Sequence, residues 1–159
     1  MKHLPKHLRP RWRYLAVGIK AWPDTSVSRR SFQRAVWYSA GNLLGDPGSA
    51  DADLSLLSFS FEDGIGEAVI QVRHGHLEEA RAAVACVTSV DGDPIGVHVR
   101  GASGTVRACE ERYMGRASRT TVQRDVAFEG RDRSAVVRED AVDVSTDHGY
   151  VGATRLDLE

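Results

Sequence analysis

The chain has 159 residues, 42% hydrophobic and 27% charged, with a formal net charge of −1. That length suits one domain able to bury about two-thirds of its unfolded surface, so its core needs neither disulfide nor metal. The composition excludes a disordered or fibrous chain, the lack of any run of about 18 apolar residues excludes a transmembrane helix, and two cysteines without CxxC spacing, Cys86 and Cys109, argue against a disulfide scaffold and a zinc site.

Charge is uneven along the chain. Residues 1–20 carry Lys2, Lys6, Arg9, Arg11, Arg13 and Lys20 and no acid. Residues 1–119 hold 16 basic and 13 acidic residues, whereas residues 120–159 hold 5 and 9. Residues 1–10 read as a basic arm, and a polyanion met through that arm is one reading; a solubilising arm is the other. No apolar signal core follows the basic start, so a cytoplasmic protein is expected. Arginine outnumbers lysine 18 to 3, which favours short-range bidentate contacts to phosphate over diffuse attraction.

In chain order, residues 11–20 alternate, with Leu15, Val17 and Ile19 on one face and Trp12, Tyr14 and Ala16 on the other, which predicts a strand. Residues 27–44 shift to helical spacing through Phe32, Ala35, Val36, Ser39 and Leu43; Ser26 or Ser28 caps this helix, and Gly45 with Pro47 stops it. Residues 53–61 alternate again, Leu57, Phe59 and Phe61 facing one way. Glu62-Asp63-Gly64 turns the chain into residues 66–73, where Ala68, Ile70 and Val72 point inward. A helix is expected from His76 to Val90, ended by Asp91-Gly92-Asp93-Pro94, then a short strand through Ile95, Val97 and Val99, then a helix capped by Ser103. The order β-α-β-β-α-β predicts an α+β, ferredoxin-like sandwich over residues 11–116, resembling RNA-recognition modules, with an extra C-terminal helix. Residues 117–159 are acidic, with short β-like pieces at Val126–Phe128, Ala135–Val137, Val142–Val144 and Tyr150–Leu158; they read as a small β appendage or a partly disordered acidic extension.

No catalytic signature is present: there is no HExxH, GxSxG or P-loop. Gly64-Ile65-Gly66 lacks the third glycine of a dinucleotide loop and joins two strands. His74-Gly75-His76 lacks further ligands for a metal. Cys86 and Cys109 fall on apolar helical faces and read as core. Base stacking on the open sheet face is poorly provided for, because residues 66–73 place Glu67, Val69 and Gln71 there. Trp12, Tyr14 and Val69 therefore read as a protein-binding patch, unless the chain's own arm or tail covers them. In Arg100-Gly101-Ala102-Ser103-Gly104-Thr105-Val106-Arg107 a strand runs into a helix start, whose free N–H groups and dipole suit an anion; an ordinary capped helix is the alternative.

Several segments together resemble the archaeal ribonuclease P protein component 2 family: Leu4-Pro5, Leu8-Arg9 and Arg13-Tyr14-Leu15-Ala16; Ala82-Ala83-Val84 through Val87-Thr88-Ser89-Val90 and Gly92; Val97-His98-Val99-Arg100; and Ser103-Gly104-Thr105-Val106-Arg107. The likeness spans about residues 2–116 and leaves out the acidic extension. It implies a non-catalytic subunit of the ribonucleoprotein that removes the 5′ leader of precursor tRNA. It also implies that the RNA cleaves, with Mg2+ held by RNA phosphates, and that the protein binds no cofactor of its own. The implied partners are ribonuclease P RNA, protein component 3 and other protein subunits, with precursor tRNA reached indirectly and self-association open. RNA phosphates are then expected at Lys2, Lys6, Arg9, Arg11, Arg13, Arg100, Ser103, Gly104, Thr105 and Arg107. A purely protein-binding adaptor of the same fold is the alternative.

Overall fold

Strand β1 (Trp12–Ala21) runs through the centre of the molecule, with neighbours hydrogen-bonded on both sides. A computed structural model describes residues 3–115, 121–139 and 141–158. The alternation read in the sequence is realised: Leu15 and Val17 are fully buried and Ile19 is 2% exposed, all in the main core.

Helix α1 (Arg29–Ala52) starts where Ser28 accepts a hydrogen bond from the Ser31 N–H at 3.1 Å. Phe32, Val36 and Ala40 lie under the sheet, and Ser39 donates to the Ala83 carbonyl at 2.5 Å. The expected stop at Gly45 and Pro47 is corrected. Gly45 takes φ +73°, a kink that glycine tolerates, and the chain resumes helical geometry for two further turns to Ala52. Asp53, at φ +50°, ends it.

Strands β2 (Ser55–Glu62) and β3 (Ile65–Arg73) form the expected hairpin. Asp63 and Gly64 both have positive φ (52° and 77°), the geometry of a two-residue turn whose twist matches its strands. A register shift between Leu56 and Ser58 breaks the alternation, so Leu56 is buried and Leu57 is 37% exposed rather than facing inward with Phe59. Helix α2 (Leu77–Ala85) is shorter than expected: the chain leaves the helix at Cys86 and enters the two-residue strand β4 (Ser89–Val90). Cys86 is consequently exposed, while Cys109 is buried.

Strand β5 (Asp93–Ser103) runs the length of β1, so Ser103 lies within a strand and does not cap the next helix. Helix α3 (Val106–Tyr113) is capped by Thr105, whose Oγ1 accepts from the Ala108 N–H at 3.1 Å. The five strands lie in the order β2-β3-β1-β5-β4, all pairs antiparallel. This mixed α+β arrangement has the strand order of the split βαβ fold. α1 and α2 cover one face, and α3 crosses the other.

Beyond residue 120, β6 (Val122–Phe128), β7 (Arg131–Arg138), β8 (Ala141–Thr146) and β9 (Gly149–Thr154) form a separate antiparallel meander. It has its own small core of Val126, Ala135, Val142 and Val144, with Phe128 and Leu158 against it. Among the described residues no helix is long and apolar enough to cross a membrane.

Candidate nucleic-acid interface

The strand register decides which of the expected residues meet. Tyr14 pairs with Ser103 and Trp12 with Arg73. The chain entering β1 therefore lies between the chain leaving β5 for α3 and the end of β3. The arm and the β5–α3 turn, about 90 residues apart in sequence, converge on one end of the sheet.

The arm is ordered against itself. Leu8 N–H donates to the Pro5 carbonyl at 2.9 Å, closing a 3-10 turn over Lys6–Leu8, and Arg9 Nε donates to the Leu4 carbonyl at 2.9 Å. The Arg11 carbonyl accepts from His74 N–H at 2.8 Å, which ties the arm to the end of β3. Lys6, Arg9 and Arg11 are exposed; Arg13 is half-buried, its Nε enclosed without a hydrogen-bond partner among the described residues. Lys2 lies outside the described residues.

At the β5–α3 turn, Gly104 is exposed and a Cβ there would meet nothing, so its backbone is open to close approach. No acid occupies the first turn of α3, and the partial positive charge of that end is left uncompensated within the helix. Arg107 projects into solvent, 89% exposed, with Glu111 at 2.8 Å on the next turn. Ser103 is 7% exposed and its Oγ has no partner among the described residues.

Two expected contacts are corrected. Arg100 is turned inward: its guanidinium pairs with Glu67 at 2.5 Å and donates to the Tyr113 carbonyl at 3.0 Å, with 18% of the side chain exposed. It holds α3 to the sheet and does not flank an open anion site. Val69 is fully buried with Ala16 and Cys109 beneath α3, and Tyr14 is half-buried at the same place, so Val69 offers nothing to a partner. The cover is the chain's own helix rather than its arm or tail. Gly101 makes this cover fit, since a Cβ there would collide with the Tyr113 ring. Trp12 remains half-exposed with the Arg73 guanidinium 5.7 Å from its ring centroid.

Arg73 is the residue the sequence reading missed. It stands at the same end of the sheet as the arm, 44% exposed and paired with Asp53 at 3.3 Å. Its position opposite Trp12 follows from the two-residue turn at Asp63-Gly64 only when the hairpin is extended by β1, a pairing with no local signal. At the His74–His76 pair, His76 Nδ1 lies 3.0 Å from Glu79 Oε2, and no cluster of three metal-ligating side chains occurs among the described residues.

The Rpp14/Pop5 family profile matches residues 13–114, the stretch from the start of β1 to the end of α3. The chain belongs to that family. It is 70% identical over its whole length, and over the whole of the relative, to ribonuclease P protein component 2 of Halorubrum lacusprofundi. It is 60% identical to the protein of the same name from Natronomonas pharaonis, over 99% of this chain and 98% of the relative. The namesake from Methanosarcina barkeri is 35% identical over 114 residues, 72% of this chain and 80% of the relative. In this Rpp14/Pop5 member the face that RNA-recognition modules leave open for bases is occupied by α3.

Proposed function

We propose that the chain serves as a protein component of ribonuclease P, the ribonucleoprotein that removes the 5′ leader of precursor tRNA, and that it binds the ribonuclease P RNA backbone at the end of the sheet. Family membership supports the first statement; the register that gathers the arm, Arg73 and the β5–α3 turn supports the second. Lys6, Arg9, Arg11 and Arg107 supply charge, and the amides following Gly104 supply donors at a helix start. Arg13 and Ser103 extend the same end, and Lys2 adds its charge to the arm in sequence. The chain works in three parts: the arm (1–10), the split βαβ domain with its added helix (11–116), and the acidic extension (117–159). Cleavage belongs to the RNA, with Mg2+ on RNA phosphates. Protein component 3 and the other subunits meet the surfaces that RNA leaves uncovered, self-association included; Trp12 and Tyr14 retain a part in that only at their exposed edges. The setting is the cytoplasm.

The salt dependence of binding tests this reading. Each phosphate contact contributes about 0.7 to 0.9 to the slope of log K against log salt. Replacing Lys6, Arg9 and Arg11 together by alanine should lower that slope for ribonuclease P RNA by about 2. An unchanged slope would remove the arm from the interface. Crosslinks to protein subunits alone in the reconstituted particle would favour the adaptor reading.

A further inference from the structure

The far end of β1 carries a contact of a different kind. Lys20 Nζ donates to Asp143 Oδ1 at 2.9 Å. Arg138 pairs with the other oxygen of that carboxylate and donates to the Ala21 carbonyl at 2.6 Å. Beside them the ring of Tyr150 lies on Trp22, with centroids 5.0 Å apart and planes 6° from parallel. Asp143 and Arg138 are 14% and 11% exposed, whereas Lys20 still shows 42% of its side chain. The C-terminal sheet is thus clamped over the end of β1 by one carboxylate and one aromatic ring.

Beneath the clamp, Trp22 and Lys20 are one residue apart, roughly 7 Å along extended backbone. His98 lies further back along the same face, its ring packed over Gly18, where any Cβ would collide with it. An aromatic ring beside a cation, here Lys20, is the chemistry that holds single strands, a base stacking on the ring and its phosphate pairing with the cation. The C-terminal sheet meets the same two groups with the same two chemistries, a ring on Trp22 and an anionic oxygen on Lys20. It belongs to the acidic part of the chain, with 9 acidic and 5 basic residues in 120–159, and begins beyond the family stretch ending at residue 114.

We infer that Trp22 and Lys20 form a second, single-stranded RNA site, held shut in cis by the C-terminal sheet, with Tyr150 in the place of a base and Asp143 in the place of a phosphate. The choice of RNA as ligand rests on the function proposed above; the clamp stands on its own geometry. Opening exposes the site, and RNA bound there keeps the sheet displaced, since the two compete for one surface and the coupling is reciprocal.

The test uses the full chain with Lys6, Arg9 and Arg11 replaced by alanine, which removes the arm's contribution, and a labelled 12-nucleotide oligouridylate. Adding Asp143→Asn and Tyr150→Ala should tighten binding about tenfold or more, and further adding Trp22→Ala should abolish the gain. Hydrogen exchange of β8 amides should rise in the opened variant. It should also rise in the arm-substituted parent on saturation with the oligonucleotide, a measurement that does not depend on how the opened variant folds. Unchanged affinity on opening, sustained protection of β8 in the opened variant, or unchanged exchange on saturation of the parent would each overturn the proposal. So would a gain of self-association in place of RNA affinity. Failure of the arm reading shows separately, as an unchanged salt slope with the intact ribonuclease P RNA.

Discussion

The two faces of the five-stranded sheet are made from alternate residues of the same strands, yet they close by different physics. Toward α1 and α2 the strands present Leu15, Val17, Ile19, Ala68, Ile70 and Val72, each at most 2% exposed, against Phe32, Val36 and Val84. Toward α3 and the C-terminal sheet the apolar cluster shrinks to Ala16, Val69 and Cys109, edged by Tyr14, Tyr113 and Met114. The rest of that face is closed by the Arg100–Glu67 and Lys20–Asp143–Arg138 pairs, over glycines that let side chains lie against the backbone. Apolar burial is non-directional and supplies stability; charged pairs fix position and lose their value when geometry slips. The helical face therefore carries the fold, and the other face positions what is attached to it.

The sharpest break of this contrast is Phe32→Ala. The ring is fully buried at the centre of the helical face and stacks on Phe59 at 5.5 Å between centroids. Its loss should cost about 3–5 kcal/mol, read as a shift in denaturant midpoint with unchanged slope. A cost below about 1 kcal/mol would mean that the helical face is not the main store of stability.

On the opposite face Arg100→Ala should cost less, about 2 kcal/mol, the usual worth of a hydrogen bond to a charged group. Its particular mark should be local. Arg100 joins Glu67 on the sheet to the Tyr113 carbonyl at the end of α3, and Glu67 also accepts from the Gly115 N–H at 3.0 Å. Without Arg100, α3 should lift more often and uncover Cys109, whose thiol burial holds above its ordinary pKa. Thiol labelling in native buffer should then proceed at Cys109 after the exposed Cys86 has reacted. Labelling confined to Cys86 would show that Tyr113 and Met114 packing alone holds α3.

The same contrast explains what the sequence could disclose. Strands β1 and β3 were readable because one face of each is apolar, so the period of two is plain in Leu15-Val17-Ile19 and Ala68-Ile70-Val72. The opposite face gave no such signal: what covers Val69 is α3, some 40 residues later, and the pairing of Glu67 with Arg100 spans 33 residues. The full length of β5 was hidden because Gly96, Gly101 and Ser103 weaken strand propensity, and pairing with β1 overrides it. Helix α1 was underestimated because Gly45 and Pro47 are stop signals wherever no tertiary packing restarts the helix, and here the chain continues to the buried Ala52. The arm cations are legible in the sequence as charge, with no acid among residues 1–20. Arg100 was misassigned because a sequence shows the charge but not the acid that claims it.

The smallest effect concerns His98, where the polar face should give the fold a dependence on pH that the helical face lacks. Burial holds the His98 pKa below its ordinary 6.5, and the neighbouring Arg100 and Lys20 charges push it in the same direction. The unfolded chain then takes up the proton first as pH falls, so acidification favours unfolding. The contribution of His98 is fully present above pH 6.5 and is lost as pH drops from there through the lowered value. His98→Gln keeps a polar side chain but has nothing to titrate. The melting temperature of the native sequence should therefore fall further between pH 7 and pH 5 than that of His98→Gln, while Phe32→Ala should shift the whole curve without changing its slope in that interval. Parallel curves for the native sequence and His98→Gln would mean that the imidazole is as well solvated in the folded chain as in the unfolded one, and that the cations on this face do not act on it.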